Sequence, residues 1–132
     1  MTEPTPTPGP ARARRSGIAL VMVLALDFAA FELGRGTERP LRCGRDVQPD
    51  ADTIVMLSAS WCHYCRAARR YLQGEHIAHC EYDIERDAEG QRRYAAMPVK
   101  MIPVLTLGDT TFIGFEREEI EKALQARGLR PM

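Results

Sequence analysis

The chain has 132 residues in formal charge balance, 18 lysines and arginines against 18 aspartates and glutamates, with 45% hydrophobic and 27% charged residues. That size and composition fit one soluble globular domain, and with no sustained basic patch and few aromatics for stacking, nucleic acid is not an expected partner. Four cysteines, Cys43, Cys62, Cys65 and Cys80, are too few for a disulfide-dense secreted scaffold, and the count alone leaves the redox compartment open.

Residues 1–10 alternate proline with small polar residues and cannot bury a core, so 1–16 reads as a disordered tail closed by Arg12, Arg14 and Arg15. Residues 17–34 are a hydrophobic segment that begins with an apolar run of signal-peptide length. Asp27 and Glu32 interrupt it before the roughly 20 residues of a comfortable membrane span, and no small-x-small cleavage site follows. Arginines on its two sides nearly balance, so the positive-inside rule gives little orientation. The segment reads as an export signal or membrane anchor, with an extra helix packed on the domain as the alternative. Membrane or cell-envelope placement is therefore expected ahead of a cytoplasmic one.

Residues 35–51 are rich in Gly, Pro, Arg and Asp and read as a linker, which leaves 52–130 as the folded domain. Thr53-Ile54-Val55-Met56-Leu57 is a β-branched apolar run that predicts a buried parallel strand, followed by the small residues Ser58-Ala59-Ser60. Residues 66–72 predict a helix with Ala68, Tyr71 and Leu72 on one face and Gly74 as its stop. A second strand is predicted over 77–84 and a polar helix over 87–96. Residues 102–107 and 110–113 predict a hairpin around Gly108-Asp109. A terminal helix over 116–127 has Ile120, Ala123 and Leu124 on one face and Gly128 as its stop. The order implies an α/β fold, one mixed sheet with helices packed against it.

Cys62-His63-Tyr64-Cys65 lies where the first strand gives way to the helix. Cys62 falls at or just before the helix N-terminus, where unpaired N–H groups and the macrodipole favour a thiolate, so it is assigned as the attacking sulfur. Cys65, one turn further on, resolves the mixed disulfide. His63, when protonated, stabilises the neighbouring thiolate further. A zinc half-site with His76, His79 and Cys80 is the competing reading, but the spacing is too short for the common finger and no second Cys-x-x-Cys exists. No metal and no bound cofactor are expected. His76 and His79 read as surface or strand-edge residues, Cys80 as a small hydrophobe in the second strand. Cys43 reads as an inert loop thiol, with a regulatory or intermolecular disulfide as the alternative. Arg66, Arg69 and Arg70 read as a solvated face that could favour acidic partners or the carboxylates of glutathione.

From about residue 52 to residue 124 the chain resembles a glutaredoxin of the thioredoxin-like superfamily, in element order, in Cys62-x-x-Cys65 after the first strand, and in Met101-Ile102-Pro103-Val104. Tyr64 before the second cysteine fits the glutaredoxin pattern, whereas Trp61 before the first is closer to thioredoxin. The resemblance implies a thioredoxin-like, mixed four-stranded sheet flanked by helices. It implies a cis peptide before Pro103 and substrate docking by Ile102 and Pro103, beside Trp61 and Tyr64. Ala59 stands where glutaredoxins usually have a lysine for the glutathione carboxylate. Gly114 and Phe115 are also assigned to substrate binding, and Gly114-Phe115-Glu116-Arg117 is closer to the Gly-Phe of NrdH-type redoxins, which are reduced by thioredoxin reductase. The implied activity is reduction or exchange of protein or glutathione mixed disulfides. Glutathione as a co-substrate or thioredoxin reductase would be the electron donor, and disulfide-containing proteins the substrates. A non-catalytic redox sensor or binding module of the same fold is the alternative.

Overall fold

The computed structural model describes residues 15–34 and 39–131, and the expected disordered tail lies almost wholly outside the described residues. The chain divides into two units, residues 1–37 and 38–132. The first contains helix α1 (Arg15–Gly34), whose Ile18, Leu20, Val21, Met22, Val23, Leu24 and Leu26 are exposed. No helix among the described residues is long and apolar enough to cross a membrane.

The second unit is built on β1 (Ile54–Ser58), α2 (His63–Gly74), β2 (His79–Asp83), α3 (Ala88–Ala96), β3 (Val104–Leu107), β4 (Thr110–Ile113) and α4 (Arg117–Ala126). The four strands lie in the order β2-β1-β3-β4. β1 pairs in parallel with β2 and antiparallel with β3, and β3 pairs antiparallel with β4. This is the thioredoxin-like mixed sheet that the resemblance implied. Its long crossover from β1 to β2 is α2, as a parallel pair requires.

Alternate residues of β1 and β3 supply one core face. Ile54, Met56, Leu105 and Leu107 meet Ala68 and Leu72 of α2 and Ile120 and Leu124 of α4, all fully buried or nearly so. The helical spacing of those four helix residues is what makes the two faces match. β3 begins only at Val104 because Pro103 has no N–H to give a ladder. β2 begins only at His79 because the Ile77 N–H is turned back to Leu72 O at 2.9 Å, ending α2. On α3, a Cβ at Gly90 would lie 2.5 Å from Asp83 O, so the helix reaches the end of β2 at this distance only with glycine there.

Residues 39–49 form a strap beside β2. Glu81 donates its N–H to Leu41 O at 2.7 Å and accepts the Cys43 N–H at 3.1 Å, a parallel bridge between Arg42 and Glu81. That bridge sets Cys43 against Cys80, and the two form a disulfide with a Cα–Cα distance of 4.9 Å. Cys43 is therefore neither inert nor intermolecular, and Cys80 is not merely a small hydrophobe. The two cysteines meet through a backbone pairing across a sequence separation of 37, and no local pattern announces it. His79 also departs from the surface reading: it is buried, with Nδ1 2.7 Å from Ile77 O.

Helices α2 and α4 and the chain end are tied by a polar cluster at the rim of the core. Tyr71 donates its hydroxyl to the Glu121 carboxylate, while Arg130 donates to Glu121 at 3.2 Å and to Glu75 at 2.5 Å. Burial, then the hydrogen bond to Glu121, pushes the Tyr71 hydroxyl up to about 12. The same hydrogen bond, followed by that from Arg130, holds Glu121 below the ordinary carboxylate range. The raised Tyr71 value means stability that is complete below its ordinary 10.0 and lost as pH rises towards about 12. The lowered Glu121 value means stability present above the ordinary carboxylate range and lost as pH falls through its folded value. Tyr71→Phe keeps the ring against Phe115 (centroids 5.6 Å apart) but deletes the donor. It is expected to cost about 1.5 kcal/mol near neutral pH and to flatten the alkaline limb of the stability profile. Urea midpoints taken across pH check both.

Candidate active site

β1 ends at Ser58 and the chain turns through Ala59, Ser60 and Trp61, the turn closed by Cys62 N–H to Ala59 O at 3.1 Å. Cys62 then takes extended dihedrals, φ −78° and ψ 110°, as the N-cap of α2. A cap side chain normally offers oxygen to the first orphan N–H groups. Here Cys62 Sγ accepts the Cys65 N–H at 3.1 Å. The first turn of α2 has no acidic residue to oppose negative charge at that sulfur. Cys62 and Cys65 are joined as a disulfide, with 5% and 0% of their surfaces exposed.

Ala59 packs with the pair, and Ile84 and Ile102 pack against this small cluster. The Ile102–Pro103 peptide is cis, and Pro103 is buried. Pro103 O accepts the Gly114 N–H at 2.8 Å, so Gly114 sits beside the same segment. Around this apolar floor Trp61 and Tyr64 stand out, 64% and 68% exposed, together with Met101 and Val99. Trp61 Nε1 donates to the Glu85 carboxylate at 2.9 Å, and His63 meets Tyr64 edge-on, centroids 6.0 Å apart. Phe115 does not join them. It packs on Tyr71 and the main core.

The segment leading to Ile102 is anchored by Lys100. Its Nζ donates to Tyr94 O at 2.8 Å, Ala95 O at 2.7 Å and Met97 O at 3.1 Å, capping the C-terminal carbonyls of α3. Lys100→Met removes this cap and is expected to lower stability by about 1 kcal/mol. Amides of residues 97–102 should exchange faster in hydrogen-exchange measurements, with those of β1 unchanged.

Below Cys65 lies a buried network that the solvated-face reading of the arginines misses. Arg69 donates through Nε to Glu81 at 2.8 Å and through a terminal nitrogen at 2.6 Å, and Ser58 Oγ donates to the same carboxylate at 2.7 Å. Both charged side chains are almost wholly buried. Arg69 follows Cys65 by one helical turn, on the inner face of α2, which is why it is covered. The available signal was Glu81, an acid at an inward position of a short strand, which demands a buried cation. Arg66 and Arg70, by contrast, are exposed. Among the described residues no group of three His, Cys, Asp or Glu side chains gathers to hold a metal ion.

A family model described as Glutaredoxin matches residues 54–113, from the start of β1 to the end of β4. Among solved structures, one titled for the thioredoxin-like activity profile of the glutaredoxin-like protein NrdH-redoxin from Escherichia coli aligns with a TM-score of 0.50 at 21% identity. The match covers 61% of this chain and 97% of that one. A point mutant of a thioredoxin-like protein aligns at a TM-score of 0.45 and 21% identity, covering 58% of this chain and 96% of its own. No curated protein matches the sequence.

Proposed function

We propose that this chain, whose residues 54–113 match the Glutaredoxin family model, is a glutaredoxin-type thiol–disulfide oxidoreductase in which Cys62 attacks and Cys65 resolves. The observation that carries the assignment is the cap: Cys62 Sγ is the sulfur that receives a backbone N–H at the N-terminus of α2. In the reduced pair the same donor and the helix dipole favour a thiolate there.

The Cys62 thiolate attacks one sulfur of a substrate disulfide, forming a mixed disulfide and releasing the other sulfur as a thiolate that takes up a proton. Cys65 then loses its proton and attacks Cys62 Sγ, which frees the second substrate thiolate and leaves the Cys62–Cys65 disulfide. The substrate gains two electrons from the pair, and a thiol or dithiol reductant returns them. Trp61 and Tyr64 offer an exposed aromatic rim to the incoming chain. Ile102 and Pro103 offer the floor, with Gly114 beside it. Ala59 is buried and puts no ammonium at the site, which favours a thioredoxin reductase over glutathione as donor. His63, exposed at the first position of α2, supports the thiolate when protonated.

Bis(2-hydroxyethyl) disulfide reduction should therefore be followed with glutathione and its reductase against thioredoxin reductase alone. Repeated turnover with either donor supports an enzyme, the faster arm naming the donor. A single stoichiometric change with both would make the chain a redox sensor instead.

The localisation we propose is the membrane or cell envelope. Two features support it: the exposed apolar residues of α1, and a buried disulfide outside the redox pair, a bond that persists in oxidising compartments. Fractionation of cells expressing the full chain, with thiol labelling before and after lysis, tests it. Recovery in the soluble cytoplasmic fraction with Cys43 and Cys80 reduced would overturn it.

A further inference from the structure

At the end of α2 far from Cys62, a cleft of about 480 Å³ opens between the strap, the last turn of α2 and the start of β2. The 12 residues of α2 span about 18 Å, so the cleft lies outside the redox site. Its volume falls in the range of small-molecule sites. Leu41 and Val47 of the strap, with Leu72 and Ile77, give it mostly apolar walls.

One polar group in those walls is unsatisfied. His79 lines the cleft and is only 5% exposed. A backbone carbonyl only accepts, so with Nδ1 2.7 Å from Ile77 O the ring proton sits on Nδ1 and Nε2 presents a lone pair. Nothing among the described residues donates to Nε2, which is itself buried. Buried polar atoms in folded chains are nearly always hydrogen-bonded, so this lone pair calls for a donor from outside the chain. The chemistry of that donor is narrow. A carboxylate only accepts and cannot serve a lone pair, and an ammonium would lose its hydration against apolar walls. An amide would bring a carbonyl that needs a donor of its own, and Gln73, the amide lining the cleft, already donates to Arg39 O at 2.9 Å. A neutral hydroxyl on an apolar body suits both the lone pair and the walls.

We propose that this cleft binds a small apolar alcohol or phenol, its hydroxyl donating to His79 Nε2 and its body lying between the strap and α2. A hydrogen bond shielded from water in this way is stronger than one at the surface. The site is independent of the oxidoreductase reading, since neither cysteine of the redox pair lines it. Cys43 lies between Leu41 and Val47 in the chain, so its bridge to Cys80 holds the strap side of the wall.

The full chain is titrated with β-naphthol and with its methyl ether, which keeps the apolar body and loses the donor. β-Naphthol should bind about tenfold more tightly, as one hydrogen bond in a shielded site gives. In long-range proton–nitrogen spectra the His79 Nε2 resonance should move on saturation, together with the amides of Leu41, Val47 and Ile77. His79→Phe keeps a flat ring and removes the lone pair, so the two ligands should bind that variant equally. If it does not fold, the Nε2 resonance of the parent chain decides alone, and an unmoved resonance overturns the proposal. His76→Gly removes the other imidazole of the cleft, at φ 54° a position that glycine occupies without strain, and should keep the preference. Loss of the preference in that variant overturns the proposal. So do equal affinities or no binding in the parent chain, and shifts centred on Trp61 and Tyr64 instead. The same preference is expected in the redox-inert chain, Cys62→Ser with Cys65→Ser, so failure of the turnover assay leaves the cleft standing.

Discussion

The Cys62→Ser variant should reduce no disulfide with any electron donor, while Cys65→Ser should accumulate covalent mixed disulfides with its substrates. The asymmetry follows from α2. A thiolate at Cys62 has the Cys65 N–H 3.1 Å from its sulfur and the positive end of the helix beneath it. Cys65 is one turn inside, wholly buried, with a backbone already committed to the helix. A serine at Cys62 keeps the cap geometry but is no nucleophile towards sulfur at neutral pH, so the loss should be complete, not partial. A serine at Cys65 leaves the first attack intact and removes the second, so the product is a trapped adduct visible on non-reducing gels. Adducts on the Cys62 variant, through Cys65, would reverse the roles.

Removing the Cys43–Cys80 bridge should be the costliest change outside the redox pair. Closing a loop with a sequence separation of 37 restricts the unfolded chain by about 4 kcal/mol on the chain-entropy estimate. That is a large part of the roughly 5–15 kcal/mol that holds a domain folded. Alanine is the appropriate replacement at Cys80, since a buried serine hydroxyl would add its own desolvation cost. Cys43→Ala with Cys80→Ala should lower the urea midpoint accordingly, and a strong reductant should do the same to the parent chain. Reducing only the Cys62–Cys65 pair should not. An unchanged midpoint in the double variant would mean that the backbone bridge alone keeps the strap in place.

The order of strands and helices was legible because each element carries its own period. Ile54 and Met56 alternate, Ala68, Tyr71 and Leu72 recur at helical spacing, and Gly74 and Gly128 stand at or just past helix ends. The redox pair was legible for the same reason: its two cysteines and the helix start are contiguous. What escaped depends on sheet pairing. Cys43 meets Cys80, and Arg69 meets Glu81, only after β2 has taken its place beside β1 and the strap beside β2. His79 read as a surface or edge residue because a lone histidine carries no inward signal of its own, yet it is buried, with Nδ1 2.7 Å from Ile77 O. Phe115 shows the limit of carrying a role across by position alone: beside the glycine that flanks Pro103, its ring turns instead to Tyr71.

The strap has a bearing on how these molecules behave towards one another. β2 is an outermost strand of the sheet, and such strands offer free N–H and C=O groups to any passing extended chain. Here the two backbone groups of Glu81 that face outward are already taken by Leu41 and Cys43. The bridge between Cys43 and Cys80 keeps them taken. The earliest sign of a severed bridge in concentrated solution should therefore be association of neighbouring molecules strand against strand, detectable by light scattering before catalysis declines.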